Sequence, residues 1–213
     1  MQKAVKIGDI LTKGNPWSLV GPYNKSLLES LVPSATFVHK LAISLVFVAI
    51  LALLGRARFY LPEIPVPITL QTLGVLASGG ILGLRWGMFT VLVWYFLGMA
   101  GVPVFQGGSN GWAYVSGGSP TGGYLIGFIA ATWLVAYLSQ HGWTRGRGLW
   151  PMLLGNLLIY LPGLIWLGAF NIVSWNRIYS VGMHPFIAGD LVKLICAALI
   201  VSGLWVVADH RKS

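Results

Sequence analysis

The chain contains repeated apolar runs that are each long enough, or nearly so, to cross a lipid bilayer. A spanning helix needs about 20 apolar residues. Six candidate runs cover residues 35–54, 69–84, 86–100, 121–139, 149–169 and 186–207. Only 9% of the 213 residues are charged, whereas a soluble domain carries about 25%. The sequence therefore predicts an all-α integral membrane protein, with a six-helix bundle over residues 32–213.

Residues 1–31 precede the first predicted span and have mixed polarity. They contain no short apolar core followed by a small-residue cleavage site, so a cleavable signal peptide is not expected. We expect this N-terminal segment to lie in the cytoplasm or along the membrane surface.

The positions of lysine and arginine predict the orientation of the bundle, because cytoplasmic loops are enriched in basic residues. With the N-terminus inside, only Arg56, Arg58 and Arg177 lie outside. Ten basic residues then lie inside: Lys3, Lys6, Lys13, Lys25, Lys40, Arg85, Arg145, Arg147, Arg211 and Lys212. Both termini are therefore predicted to be cytoplasmic. Topology also explains the net charge of +9, so nucleic acid is not an expected partner and membrane lipid is.

Two outside loops have unusual compositions. The first, 55–68, carries prolines at 62, 65 and 67, which favour extended backbone over helix. The second, 98–123, has nine glycines among 26 residues and aromatic residues spaced between them. A flexible linker is one interpretation of the glycines. The interleaved aromatic residues favour an ordered lid.

Asp190 and Lys193 are two charged residues within the last apolar run. A charge at membrane depth costs about 2.5–3.5 kcal/mol on insertion scales. Residues three apart on a helix share one face, so both side chains need the same polar surroundings. A bound polar ligand satisfies that need, and so does a structural ion pair between the two residues.

The remaining polar residues favour binding over catalysis. The chain has no phosphate-binding loop of the Gly-x-x-x-x-Gly-Lys-Ser/Thr type, so it is not expected to hydrolyse ATP itself. Its four histidines are scattered and its one cysteine, Cys196, stands alone, so neither a metal site nor another cofactor is expected. We predict that the chain is not an enzyme and has no catalytic residues.

Four short motifs stand in order along the membrane part of the chain. They are Val-Pro-Ile-Thr-Leu-Gln-Thr-Leu (66–73), Gly-Val-Pro-Val-Phe (101–105), Pro-Thr-Gly-Gly-Tyr-Leu-Ile-Gly-Phe (120–128) and Gly-Asp-Leu-Val-Lys (189–193). Together they resemble the BioY family, the biotin-binding S components of energy-coupling factor (ECF) transporters. The resemblance covers about residues 35–207.

The resemblance implies a six-helix S-component fold in a bacterial cytoplasmic membrane, crossed several times. It implies biotin as the ligand, bound near the outer surface beneath the loops after helices one and three. It also implies three partner subunits: a transmembrane scaffold and two cytoplasmic ATPases, either dedicated or shared. S components dock their scaffold through small residues of helix one, for which this chain offers Ala42, Ser44, Ala49 and Ala52.

The resemblance places ligand-binding residues by motif. Asp190 is expected to accept from a ureido N–H of biotin, and Lys193 to contact the ureido oxygen or the carboxylate, or to neutralise Asp190. The other expected site residues are Thr69, Gln71, Phe105, Gln106, Trp112, Gly122, Gly123 and Tyr124. Phe105 and Trp112 would wall the ring. Thr69 and Gln71 also suit a helix cap after Pro67, and the two glycines suit close packing of the loop.

Three alternatives to biotin uptake remain at this stage. An S component for a different vitamin would share the fold, because fold does not fix the ligand. A small membrane enzyme acting on lipid would need an acid–base pair, for which only His184 and Glu63 are available. An assembly subunit would bind no small molecule.

Overall fold

The computed structural model describes residues 25–145, 148–170 and 172–211. The described residues form five long helices and three short ones. In chain order they are α1 Leu27–Leu31, α2 Phe37–Arg56, α3 Gln71–Met99, α4 Trp112–Val115, α5 Gly122–Gln140, α6 Leu149–Ala169, α7 Ile178–Gly182 and α8 Ile187–His210. A two-stranded antiparallel sheet joins β1 Arg58–Phe59 to β2 Ile68–Thr69. Three 3-10 turns cover Gln106–Gly108, Trp175–Arg177 and His184–Phe186.

Five segments of the described chain are long and apolar enough to cross a membrane. They are α2, α3, α5, α6 and the segment Trp175–His210, which ends in α8. Because α3 is bent back on itself, it supplies two of the six predicted spans. The protein is an all-α, multi-pass membrane protein, as predicted.

The bend in α3 is at Gly83, whose backbone has φ 74° and ψ −175°. A positive φ is readily adopted by glycine and by few other residues. The indole N–H of Trp94 and the side-chain amide of Gln71 both donate to the Val104 carbonyl, at 3.0 and 3.4 Å. A straight helix would hold these two residues about 35 Å apart. The two halves of α3, 71–82 and 84–99, therefore run antiparallel as separate spans.

Small residues let the central helices approach closely. A side-chain carbon at Gly79 would lie 2.9 Å from the Thr132 carbonyl of α5, and one at Gly127 would lie 2.6 Å from the Ile159 carbonyl of α6. Close backbone approach of this kind supplies packing energy between helices in lipid. By contrast α2 lies at the edge of the bundle, where four of its 20 residues are buried: Ser44, Val48, Leu51 and Gly55.

Both ends of the described chain lie at the same end of the bundle, because the Arg211 guanidinium donates to the Leu31 carbonyl at 3.2 Å. An even number of spans requires this arrangement. Residues 27–31 of the predicted N-terminal segment form α1, which is preceded by a capping box between Ser26 and Glu29 and buries Leu27 and Leu28 in the bundle. Residues 1–24 lie outside the described residues.

Candidate ligand-binding site

A cavity of about 50 Å³ lies at the end of the bundle opposite Leu31 and Arg211. It is enclosed by the start of α3, the start of α5, the second half of α6 and the start of α8. Six of the ten predicted site residues line it: Thr69, Gln71, Gln106, Tyr124, Asp190 and Lys193. Apolar side chains complete the wall: Val66, Pro67, Leu125, Phe128, Ile159 and Phe186.

Asp190 and Lys193 form the charged floor of this cavity. Each is only 6% exposed, and their charged groups lie 2.5 Å apart. The Tyr160 hydroxyl of α6 donates a hydrogen bond to the second oxygen of Asp190. Lys193 also donates to the Thr69 carbonyl at 3.0 Å, which ties α8 to the end of β2. The ion pair considered from the sequence is therefore formed, and it lines a cavity as well.

The floor keeps unused hydrogen-bonding capacity. An ionised carboxylate has about four acceptor sites and an ammonium has three donors. Asp190 uses one site on each oxygen, for Lys193 and for Tyr160, and Lys193 uses two donors, for Asp190 and for Thr69. Acceptor sites on Asp190 and one donor on Lys193 remain. The floor can thus bind a ligand group that presents a donor next to an acceptor.

The roof of the cavity is a hydrogen-bonded network built around Gln106. Its side-chain oxygen accepts from Arg58 and Tyr60 at 3.5 and 3.4 Å, and its amide nitrogen donates to Tyr114 at 2.8 Å. The Tyr114 hydroxyl also accepts from Thr121 at 2.6 Å. The network joins both outside loops. The second loop contains the turn at Gln106–Gly108 and α4, so the predicted ordered lid is present.

Thr69 and Gln71 have structural contacts in addition to their place on the cavity wall. The Thr69 hydroxyl accepts from the Gln71 amide at 3.3 Å, which resembles the capping role suggested by the sequence. The Gln71 side chain donates to the Leu51 carbonyl of α2 at 3.2 Å and, as noted, to Val104. It therefore holds the start of α3 against α2.

The other predicted site residues occupy different environments. Phe105 is fully buried behind the roof, where its ring stacks on Tyr114 with centroids 5.4 Å apart. Trp112 is 66% exposed on α4. Gly122 and Gly123 pack where any side chain would overlap Trp166 of α6. Tyr124 lines the cavity, and its hydroxyl donates to the Gly182 carbonyl at 2.6 Å.

Tyr160 is a site residue that the sequence did not reveal. It is buried, lines the cavity and contacts the Asp190 carboxylate. One signal was a hydroxyl-bearing residue within the apolar run 149–169, but tyrosine is common in such runs. The described residues contain no group of three or more His, Cys, Asp or Glu able to hold a metal ion.

Known proteins are similar to this chain in sequence and in fold. A model of the BioY family matches residues 24–210. The probable biotin transporter BioY of Pyrococcus horikoshii is 40% identical over 141 residues, which are 66% of this chain and 81% of that protein. The biotin transporter BioY of Rhizobium etli is 35% identical over 170 residues, covering 75% of this chain and 89% of that protein.

A solved structure gives the same assignment. The crystal structure of an S-component for biotin from an ECF-type ABC transporter is similar with a TM-score of 0.70 and 29% sequence identity. The similarity covers 84% of this chain and 96% of that one. The agreement therefore covers both sequence and fold. The chain belongs to the BioY family.

Proposed function

We propose that this chain is the biotin-binding subunit of an ECF transporter, which captures the vitamin at the outer side of the membrane. Relatives that share 40% and 35% of their aligned residues are named biotin transporters. The solved structure with the same fold is described as an S-component for biotin. The observation that carries the proposal is the buried Asp190–Lys193 pair, which lines a cavity and keeps free hydrogen-bonding capacity.

The chemistry of biotin matches the floor of the cavity. Its ureido ring presents N–H donors next to a carbonyl acceptor. Asp190 accepts from a ureido N–H, and the remaining donor of Lys193 binds the ureido oxygen. Phe128, Ile159 and Phe186 supply an apolar wall for the sulfur ring. Charge-assisted hydrogen bonds of this kind are stronger than neutral ones, so one adjacent pair of charges gives both affinity and orientation.

Competition binding tests the choice of vitamin. The purified protein is loaded with labelled biotin in detergent, and unlabelled biotin, riboflavin, thiamin and folate are added separately. We expect only biotin to displace the label. Displacement by another vitamin at a lower concentration than biotin would favour the alternative of an S component for that vitamin.

The proposal includes a transmembrane scaffold subunit and two cytoplasmic ATPases as partners. The exposed face of α2 supports a docking surface, since Ala42 and Ala49 are exposed and α2 lies at the edge of the bundle. Ser44 is buried and donates to the Lys40 carbonyl, so it does not contribute to this surface. Ala52 is partly buried.

Co-purification tests the docking surface. The double substitution Ala42→Leu with Ala49→Leu should reduce the amount of scaffold subunit recovered with the protein and leave biotin affinity unchanged. The control is Leu199→Phe, on the exposed face of α8, which should change neither. Equal recovery of the scaffold with all three proteins would rule out docking through these two alanines.

A further inference from the structure

Two arginines beside the cavity have no carboxylate partner among the described residues. Arg56 ends α2 and Arg58 begins β1. The ion pairs of the described ranges join Lys40 to Glu29, Arg177 to Glu63 and Lys193 to Asp190. Two neighbouring like charges without a counter-charge repel each other. An anion bound near them would remove that repulsion.

Arg58 lies between two residues that line the cavity. Its backbone pairs with Thr69 across the antiparallel strands, and its guanidinium contacts the Gln106 side chain. Thr69 and Gln106 belong to the cavity wall. The Arg58 side chain therefore lies beside the cavity, next to the Gln106 roof, at what we call the mouth.

The guanidinium groups of Arg58 and Arg56 lie close to the backbone of Gly107 and Gly108. A side-chain carbon at Gly107 would overlap the Arg58 guanidinium, and one at Gly108 would lie 2.6 Å from that of Arg56. Both glycines have positive φ, 62° and 87°, which most other residues adopt only with strain. The two glycines thus let both guanidinium groups approach the backbone of the turn closely.

Arg58 has donors to spare, whereas Arg56 is anchored. Arg56 donates to the Pro103 carbonyl at 3.0 Å. The Arg58 hydrogen bond to Gln106 is 3.5 Å long, beyond the usual range of about 2.7–3.2 Å. A guanidinium has five N–H donors. The Gln106 amide nitrogen uses one N–H for Tyr114 and retains a second. The mouth therefore offers donors and positive charge to an acceptor.

We propose that Arg58 recognises the carboxylate of the ligand at the cavity mouth, while the Asp190–Lys193 floor holds the opposite end. This inference rests on the proposed function, because biotin carries one carboxylate at the end of the chain that extends from its ureido-bearing rings. Arg58 then selects the free acid over uncharged derivatives. Arg56 adds positive charge and holds the turn in place.

Equilibrium binding of biotin and of biotinamide, its uncharged amide, tests this inference. The original protein should bind biotin about tenfold more tightly than biotinamide. This preference is at the lower end of the range for a hydrogen bond between charged groups, because the mouth is exposed to solvent. Arg58→Gln should weaken biotin binding to the level of biotinamide and leave biotinamide binding unchanged. Arg58→Lys should retain part of the preference. The matched control Arg177→Gln removes an outer arginine that pairs with Glu63 and should retain all of it.

The outcomes separate this inference from the proposed function. An unchanged preference in Arg58→Gln would overturn the inference, and so would equal weakening of both compounds, which would mean that Arg58 only positions Gln106. Equal affinity of the original protein for the two compounds would overturn it and leave biotin as the ligand. If the original protein bound neither compound, the proposed function would fail and the inference with it.

Discussion

The Tyr160 hydroxyl donates a hydrogen bond to the Asp190 carboxylate, which joins α6 to α8 inside the bundle. The same carboxylate contacts Lys193 through its other oxygen. Asp190 is thus held from two sides, in a fixed orientation, and its remaining acceptor sites are directed by these partners. A group fixed before the ligand arrives loses little conformational entropy on binding. The pair is therefore a prearranged part of the proposed biotin site.

Removing the Tyr160 hydroxyl should weaken ligand binding, because the Asp190 carboxylate is then held from one side only. Tyr160→Phe keeps the ring that packs edge-on against Tyr124 but removes a hydrogen bond to a charged acceptor, worth about 1.5–3 kcal/mol. The dissociation constant of biotin, measured by titration calorimetry, should rise at least roughly tenfold. The control is Tyr124→Phe, which removes a hydroxyl that donates to the Gly182 carbonyl and not to Asp190. It should change the affinity less than Tyr160→Phe does, and the reverse order would contradict the assignment.

The Asp190–Lys193 pair can be separated into a stabilising part and a binding part. Asp190→Asn leaves the buried Lys193 charge unpaired, so it should cost about 3 kcal/mol of unfolding free energy and weaken biotin binding by about 1–3 kcal/mol. Lys193→Met should destabilise the protein in the same way. Stability follows from thermal unfolding in detergent without ligand.

The double substitution Asp190→Asn with Lys193→Met decides between the two interpretations of the pair. It contains no buried charge at this site, so its stability should exceed that of either single variant. Its biotin affinity should stay as low as that of the weaker single variant. Recovery of affinity together with stability would reduce the pair to a structural role.

A methyl group added at two different glycines should have opposite effects on stability. A side-chain carbon at Gly98 would overlap the buried Phe105 ring, so Gly98→Ala should lower stability by about 1–3 kcal/mol. Because Phe105 stacks on Tyr114 beneath the Gln106 network, biotin binding should weaken too. A side-chain carbon at Gly203 of α8 meets no atom within 4 Å. Gly203→Ala should raise stability by up to about 1 kcal/mol, and thermal unfolding of both variants checks the difference.

The protein should lose stability in acid because of Glu29, which lies at the inner end of the bundle. Burial by itself would raise the pKa of Glu29, but the hydrogen bonds from Lys40 and the Ser26 amide outweigh it, so the pKa lies below its ordinary value of 4.5. A carboxyl whose pKa is depressed by folding stabilises the protein above its unfolded pKa. That contribution is lost as the pH falls below 4.5. The melting temperature of Glu29→Gln should therefore fall less than that of the original protein over this range, and parallel curves would contradict the prediction.

The spans were predictable because membrane crossing requires length and apolarity, which are local properties. The exact position of the bend in α3 was not. The predicted runs 69–84 and 86–100 put the break at Arg85, whereas the backbone turns at Gly83. The charge of Arg85 is accommodated over the Trp86 ring, 5.7 Å from its centroid. A charge indicates where the surface lies, but the reversal needs a residue that tolerates positive φ.

The site was partly predictable for a similar reason. Asp190 and Lys193 are three residues apart on one helix, so their shared face followed from helix geometry. Tyr160 lies 30 residues before Asp190, and only the packing of α6 on α8 brings them together. Phe105 and Trp112 belong to the same loop, yet one is fully buried and the other 66% exposed. The composition of a loop indicates that its aromatic rings pack against something, but it does not predict which rings are buried and which are exposed.

Titration calorimetry of the purified protein with biotin tests whether the cavity above Asp190 and Lys193 is a biotin site. The protein is prepared in detergent and freed of ligand before the titration. We predict saturable binding of one biotin per chain with a dissociation constant in the micromolar range or tighter. Absence of saturable binding at biotin concentrations well above that range would contradict the proposed function.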